Sequence, residues 1–166
     1  GIEIYRDKAE AEWDIRPNGQ IKGITIELDA EGVLSAGVTS TPNMPEGTVM
    51  GHVHLTGTNF TENEHFYRDI LGFNLTDDLG GHAIFFGMDG YHHQIGVNNW
   101  LGEQIPNRKG HTLGINEYTI IWESSLDFNL VLEKAQKENN SIEIINEGEF
   151  KIVDPNGIMI HMELKK

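Results

Sequence analysis

The apolar residues of this chain follow the spacing of a helix in some segments and that of strands in others. A helix is predicted at 61–72, because Phe66, Ile70 and Phe73 follow helical spacing from within it to the residue just after it, and Gly72 ends this element. Short apolar segments bounded by glycine and aspartate turns are typical of strands. The strands predicted around this helix are 50–57, 73–77, 82–87 and 93–98. The pattern therefore predicts one unit with the order βαβββ.

The same order of elements recurs in the last third of the chain. A strand at 115–123 precedes a helix at 126–139, in which Phe128, Leu132 and Ala135 share one side. The three strands predicted after it are 142–145, 149–153 and 158–164. In this second unit the turn Asp-Pro-Asn-Gly comes just before the last strand, at a position where a chain reversal is expected.

Paired glycines mark the repeat independently of the apolar pattern. Gly81 and Gly90 are nine residues apart, and so are Gly148 and Gly157. We therefore predict an α+β fold in which two tandem βαβββ modules pair into a curled mixed sheet with a central cleft. The predicted modules are about 49–100 and 113–166, within a paired domain of 49–166. A cleft of this kind is where a functional site is expected.

The first part of the chain lacks this regularity. Residues 6–48 contain three of the five prolines and only short apolar segments, which indicates a connecting arm with little regular structure. The opening GIEIYRD alternates like a strand but has no preceding element with which to pair. We therefore interpret 1–48 as the tail of a preceding domain followed by an arm.

Composition excludes several classes of function. The 166 residues include no cysteine, which rules out disulfides, thiolate zinc sites and cysteine nucleophiles and leaves His, Asp and Glu as metal ligands. A formal charge of −14 disfavours binding to nucleic acid or to anionic membranes. The sequence has neither a long apolar stretch nor a leader-like segment, so a cytoplasmic location is expected. The expected partner is a small-molecule substrate, and a homo-oligomer is left open.

Histidine and carboxylate side chains fall on the strands that would line the cleft. His52 and His54 are two residues apart, so both point to one face of the first strand. Glu117 occupies the corresponding place in the second module, and His161 and Glu163 share a face of the last strand. The preferred metal ligands are His52, Glu117 and His161. The spacing leaves His54 and Glu163 open as alternatives, because each shares a face with a preferred ligand.

A second histidine pair lies in the segment GYHHQ. His92 and His93 are adjacent, so on a strand only one would enter the cleft, where it would serve as a general acid or base. Asn98 and Tyr118, together with His54, are the candidates for contact with substrate. His111 is a further polar residue near the second module, although a structural role is favoured for it.

Four segments resemble one known family. MGHVHL, FYRDILGF, GYHH and DPNG are similar to the vicinal oxygen chelate superfamily, which includes glyoxalase I, bleomycin resistance proteins and extradiol ring-cleaving dioxygenases. GYHHQIGVNNW and GIEIYRD look most like the C-terminal half of a bacterial catechol 2,3-dioxygenase. The resemblance implies paired βαβββ modules, a divalent metal and, as a partner, an N-terminal domain of the same protein.

The resemblance also assigns roles to individual positions. The first metal ligand falls on His52 and the acid/base histidine on His93. The second ligand, usually histidine, falls on Glu117, and the third, usually glutamate, falls on His161. Compared with the family, the second and third ligands thus exchange their residue types, and the set still contains two histidines and one carboxylate. Glu3 falls at the carboxylate-ligand position of the preceding domain.

The expected function is that of a metal-dependent extradiol dioxygenase, or its C-terminal half, acting on a catechol-like diol in the catabolism of aromatic compounds. Fe(II) is the favoured metal, with Mn, Ni and Zn as alternatives. A glyoxalase-type lyase or isomerase is the alternative enzyme on the same scaffold. The non-enzymatic alternative is a half-domain that binds a small molecule or has a structural role.

Overall fold

The structure is a computed structural model, and the chain divides into two compact units, Gly1–Gly51 and His52–Lys166. The residues that it describes are 8–23, 27–37, 43–44, 46–102 and 113–166. The strand-like segment predicted at residues 1–7, with Glu3, lies outside them. No helix among the described residues is both long enough and apolar enough to cross a bilayer.

The first unit contains more regular structure than the sequence indicates. Helix α1 (Ala30–Ala36) begins after Asp29, whose carboxylate accepts a hydrogen bond from the Gly32 backbone N–H at 2.9 Å. A single turn of 3₁₀-helix at Glu10–Glu12 precedes it. The large apolar residues of α1, Val33 and Leu34, are 59% and 78% exposed. An arm with little regular structure was expected because this helix has no buried apolar stripe to reveal it.

The second unit contains two copies of the βαβββ order. Its helices are α2 (Phe60–Glu64), continued by a π-helical turn (His65–Ile70), and α3 (Ser125–Lys137). The first four strands are β1 (Val53–Thr56), β2 (Asn74–Asp78), β3 (Ala83–Gly87) and β4 (Ile95–Asn98). The other four are β5 (Glu117–Trp122), β6 (Ile142–Asn146), β7 (Glu149–Val153) and β8 (Met159–Leu164).

The two modules have the same sheet topology. Their strand orders are β1-β4-β3-β2 and β5-β8-β7-β6, and in each sheet only the first pair is parallel. The prediction of an α+β fold built from two βαβββ modules is confirmed. The eight strands form two four-stranded mixed sheets and do not continue into a single hydrogen-bonded sheet.

Each sheet has one face in the apolar core. In the first sheet, Leu55, Phe86 and Val97 are at most 2% exposed and belong to the core. The alternation of side chains along a strand then directs the intervening residues, such as His54 and Phe85, to the opposite face. In the second sheet Ile160 and Met162 are fully buried, which leaves His161 on the opposite face. We refer to these opposite faces as the open faces.

The π-helical turn explains how two adjacent aromatic residues reach the core. Phe66 and Tyr67 are both at most 2% exposed, although neighbours in a regular helix diverge by about 100°. A π-helical turn contains more residues per turn, which brings successive side chains closer to one face. Gly72 follows with a φ of 84°, a left-handed conformation that favours glycine, and the helix ends as predicted.

A buried polar network joins the two modules. Tyr67 Oη donates to Asp154 Oδ2 at 2.8 Å, and Tyr118 Oη lies 3.1 Å from Tyr67 Oη. Because Tyr67 has a single hydroxyl hydrogen, Tyr118 is the donor of the second bond. Burial raises the pKa of both tyrosines, so both hydroxyls stay protonated across the physiological range.

A charged cluster at the surface also joins the modules. His65 Nδ1 lies 3.0 Å from Asp69 Oδ2, and His65 Nε2 lies 2.6 Å from Glu138 Oε2 at the end of α3. The hydrogen bond with Glu138, followed by that with Asp69, raises the pKa of His65. Hydrogen bonds from Arg68 and His65 lower the pKa of Asp69 to about 2.

We expect His65→Gln to lower stability more at pH 5.5 than at pH 8.5. A histidine whose folded pKa is raised contributes stability below its unfolded pKa of about 6.5, and this contribution is lost as pH rises through the folded pKa. The side chain of His65 is 49% exposed, so solvent screening limits the loss to about 0.5 kcal/mol. Urea unfolding at both pH values measures it, and an equal loss at both would contradict the prediction.

Candidate functional site

Three histidines and two larger aromatic side chains cluster on the open face of the first sheet. The ring centroids of His52 and His93 are 4.5 Å apart, and those of His93 and Phe85 are 4.8 Å apart. His54 lies 5.9 Å from Phe85 and 5.4 Å from Trp100. We call these five residues the aromatic cluster. It combines flat apolar surfaces with imidazole nitrogens, which suits a planar ring that carries polar groups.

Gly96 makes room for His54 in this cluster. It is paired in register with His54 on β1 and with Phe85 on β3. A Cβ at position 96 would lie 3.3 Å from three atoms of the His54 ring. The imidazole therefore rests on the backbone of β4, a position that a larger residue would obstruct.

Asn98 makes a hydrogen bond with one ring nitrogen of His54. Asn98 Nδ2 donates to His54 Nε2 at 2.8 Å, which requires that this nitrogen be unprotonated. With the lone pair of Nε2 engaged in this way, His54 is a weaker metal-ligand candidate than His52, which lies just before β1. Asn98 and His54 were both predicted to contact substrate, and their contact with each other places the Asn98 amide at the edge of the aromatic cluster.

His92 and His93 lie side by side rather than on opposite faces. They precede β4, in the loop that follows β3, and their Nδ1 atoms are 2.9 Å apart. The rule that neighbours on a strand point to opposite faces therefore does not apply to them. One Nδ1 atom must donate and the other must accept, so a single N–H···N hydrogen bond joins the two imidazoles. His93 contacts His52, whereas the ring of His92 lies 4.1 Å from that of Tyr91.

We expect Gly87→Ala to destabilise the loop that carries these histidines. A Cβ at Gly87 would lie 2.3 Å from the carbonyl oxygen of Tyr91 and 3.0 Å from Thr76 Cγ2. Relief of that clash requires backbone movement, at a cost of about 1–3 kcal/mol. Urea unfolding gives the cost, and the NMR resonances of the histidine rings report displacement of the loop.

Gly148→Ala is the matched control for this substitution. Its added Cβ would meet only ordinary contacts, at 3.6 Å and 3.8 Å. Its free energy of unfolding should therefore change by less than about 0.5 kcal/mol. The prediction for Gly87 fails if both variants are equally stable and the histidine resonances do not move.

A second group of polar side chains lies on the open face of the second sheet. His161 Nε2 lies 2.7 Å from Glu149 Oε1, and His161 Nδ1 lies 3.5 Å from Glu163 Oε1. One ligand atom from each of the three residues lies within 4.8 Å of the other two. In the part of the chain that the structure describes, no other group of three histidine or carboxylate side chains meets this spacing.

The predicted metal ligands are not brought together as a set of three. His161 is paired in register with Thr119, and Glu117 is paired with Met159. His52 lies in the aromatic cluster, next to His93. Of the two alternatives on the last strand, both His161 and Glu163 belong to the group of three on the second sheet.

The remaining predicted residues fall elsewhere. Tyr118 points toward the core, where its hydroxyl is bonded to Tyr67 in the buried network. His111 lies outside the described residues. Glu149 and Phe85 were not singled out in the sequence, although the alternation of β7 contained a signal. Since Phe150 and Ile152 are buried, Glu149 must share the open face with His161.

Comparison with characterised sequences identifies a related protein of known name. The chain is 33% identical over 157 residues to a catechol-2,3-dioxygenase of Bacillus subtilis (strain 168), and the match covers 93% of this chain. It covers 55% of the relative, so the chain spans about half the length of the protein that it resembles. No protein-family model matches the chain.

Solved structures share the fold at much lower sequence identity. A glyoxalase/dioxygenase from Nostoc punctiforme matches with a TM-score of 0.59 at 15% identity, over 78% of this chain and 99% of that one. A glyoxylase/bleomycin resistance protein/dioxygenase domain from Frankia sp. EAN1pec matches with a TM-score of 0.56 at 17% identity, over 72% of this chain and 98% of that one. At such identities these matches concern the fold.

Proposed function

The chain belongs to the vicinal oxygen chelate superfamily, and on that premise we propose that it forms part of an extradiol-type dioxygenase acting on a catechol-like aromatic diol. The proposal extends to this chain the activity named for the Bacillus relative. Because the chain spans about half of that relative, the whole enzyme would include a further domain. Fe(II) is the metal proposed for the whole enzyme.

The observation that carries the proposal is the composition of the aromatic cluster. Phe85, Trp100 and His54 offer ring surfaces against which a planar substrate can stack. His52 and His93, whose rings are 4.5 Å apart, offer nitrogens at the same place. An aromatic diol presents these two chemistries together, with an apolar ring and two hydroxyl groups along one edge.

His93 is the proposed proton carrier. Oxidative cleavage of a catechol requires its hydroxyl groups to lose protons, and an imidazole with a pKa near neutrality is suited to accept one. The hydrogen bond between His92 and His93 would hold the His93 ring in position during this transfer. Phe85, which lies 4.8 Å from His93, would limit the access of water to that ring.

The metal predicted from the sequence does not fit the three residues proposed to hold it. His52, Glu117 and His161 are all described, yet they do not form a group whose ligand atoms lie within 4.8 Å of one another. We therefore derive no step of the reaction through a metal held by these residues. The functions assigned to the aromatic cluster are binding of the diol and transfer of a proton.

Oxygen uptake with catechol tests the proposal. The purified protein is supplied with Fe(II) under anaerobic conditions, and oxygen consumption and the absorbance of a ring-opened product are followed after catechol and air are added. Uptake of one O₂ for each catechol that is cleaved supports the proposal. Conversion of a glutathione hemithioacetal, with no oxygen uptake from catechol, would overturn it in favour of a glyoxalase-type isomerase.

A further inference from the structure

We propose that Glu149, His161 and Glu163 form a binding site for a divalent transition-metal ion on the second sheet, separate from the aromatic cluster. Two of these residues lie on the last strand, and the third lies on the neighbouring strand β7. This set replaces His52 and Glu117 as the partners of His161. The inference does not depend on the proposed dioxygenase activity.

The register of the two strands brings the three side chains together. Glu149 is paired directly with Glu163, and His161 lies two residues before Glu163 on the same face of β8. Ligand atoms in a tetrahedral site with bonds of about 2.1 Å are about 3.4 Å apart. The three ligand atoms already lie within 4.8 Å of one another, and His161 Nε2 is 2.7 Å from Glu149 Oε1. Small side-chain rotations, which would separate this close pair slightly, would bring all three atoms to the required spacing.

Glu149 is positioned by a neighbouring turn. Asn146 Nδ2 donates to Glu149 Oε2 at 2.6 Å, and Asn146 Oδ1 accepts a hydrogen bond from the Gly148 backbone N–H at 2.9 Å. These bonds leave Oε1, the other oxygen of the Glu149 carboxylate, beside His161. Orientation of a ligating carboxylate by a second hydrogen bond is a common property of metal sites.

The Nε2 atom of His161 points independently to a ligand. It is shielded from solvent and makes no hydrogen bond of favourable angle with any residue described, although Glu149 Oε1 lies 2.7 Å away. A buried polar atom without such a bond carries a desolvation cost that is not recovered. A metal ion bound by both the nitrogen and the carboxylate, after their separation increases from 2.7 Å, would remove that cost.

The donor atoms and their surroundings indicate the class of metal. One imidazole nitrogen with two carboxylate oxygens suits Zn²⁺, Mn²⁺ or Fe²⁺ better than Ca²⁺ or Mg²⁺, which favour sites made of oxygen alone. Glu149 and Glu163 also line a groove of about 420 Å³ that opens to solvent beside Leu164 and Lys165. Water molecules in the groove could complete the coordination of the ion.

Titration with Zn²⁺ and with Mn²⁺ tests the site without any measurement of catalysis. Isothermal titration calorimetry is performed on the chelator-treated protein and on Glu149→Gln and Glu163→Gln, which preserve side-chain size. We expect one ion per chain for the unmodified protein and affinity at least about tenfold weaker for each variant. Circular dichroism and thermal unfolding without metal establish that the variants are folded.

Three control variants distinguish this site from the alternatives. Glu143→Gln removes the same charge from the open face of the same sheet, where Glu143 is paired with Lys151 and not with His161. His52→Gln and Glu117→Gln remove the ligands predicted from the sequence. Unchanged affinity in all three controls supports the proposal. It is overturned if the protein binds neither ion, if Glu149→Gln and Glu163→Gln bind as tightly as the unmodified protein, or if His52→Gln or Glu117→Gln weakens binding tenfold.

Discussion

Replacement of Asp154 by alanine is expected to lower the free energy of unfolding by about 3–5 kcal/mol. Asp154 is 4% exposed, and its carboxylate accepts four hydrogen bonds. Two of these come from the backbone N–H groups of Asn156 and Ile158, at 2.9 Å and 2.7 Å. The others come from Tyr67 Oη at 2.8 Å and from Asn156 Nδ2 at 3.0 Å.

The loss is expected to be large because the donors stay buried after the acceptor is removed. Ile158 is 7% exposed and Tyr67 is fully buried, so water cannot readily replace the carboxylate. The same carboxylate links the last turn of the second module to a helix of the first. Loss of Asp154 therefore weakens both the local turn and the contact between modules, and urea unfolding followed by tryptophan fluorescence measures the sum.

Two further variants give losses in free energy of unfolding with which that of Asp154→Ala can be compared. Tyr67→Phe removes one donor and leaves Asp154 with its three other hydrogen bonds, so a smaller loss of about 1–2 kcal/mol is expected. Asp78→Ala is the matched control, because Asp78 also accepts a backbone N–H in a turn, from Gly80 at 2.8 Å, but is exposed. Its effect should stay below about 1 kcal/mol. A similar loss in Asp154→Ala and Asp78→Ala would refute this account.

The second large effect is expected at His93. If His93 accepts a proton from the diol, His93→Gln should lower kcat for oxygen uptake with catechol by about 10²–10⁴-fold, the usual contribution of a general acid or base. Glutamine is similar in size and forms hydrogen bonds but does not titrate. KM should change much less, because the ring surfaces of Phe85 and Trp100 that bind the substrate are retained.

His82→Gln is the control for this substitution, because His82 is exposed at the turn that precedes β3. It should retain the kcat of the unmodified protein. Added imidazole should restore part of the activity of His93→Gln, which a purely structural role would not predict. An unchanged kcat in His93→Gln, with the protein folded and active, would remove His93 from the proposed chemistry.

The sequence predicted the elements of the second unit closely because each has a local cause. The predicted helix at 126–139 corresponds to α3 at Ser125–Lys137, and Ser124 accepts a hydrogen bond from the Asp127 N–H at its start. The turn at 154–157 follows from its aspartate, proline and glycine residues. Signals of this kind lie within a few residues of the element that they specify, so they can be read without the tertiary structure.

Helix α1 and the π-helical turn were beyond such an analysis. The exposed residues of α1 give no apolar stripe. In the π-helical turn, the neighbouring residues Phe66 and Tyr67 are both buried, and the burial of Tyr67 depends on a partner far away in the sequence. The ring of Phe66 packs at 5.1 Å from that of Tyr67, whose hydroxyl is bonded to Asp154, 87 residues away in the chain. A contact over that separation leaves no trace in the local periodicity.

The sequence by itself determined the βαβββ repeat, the shared face of residues two apart on a strand, such as His161 and Glu163, and the lack of cysteine ligands in this chain. Only the tertiary structure decided which of those residues meet, because strand alternation fixes the side of a sheet but not the register between strands. Pairing with Gly96 set His54 against Asn98, and the loop after β3 placed His93 against His52. The register of β7 against β8 joined His161 to Glu149, a partner that the spacing along the chain did not reveal.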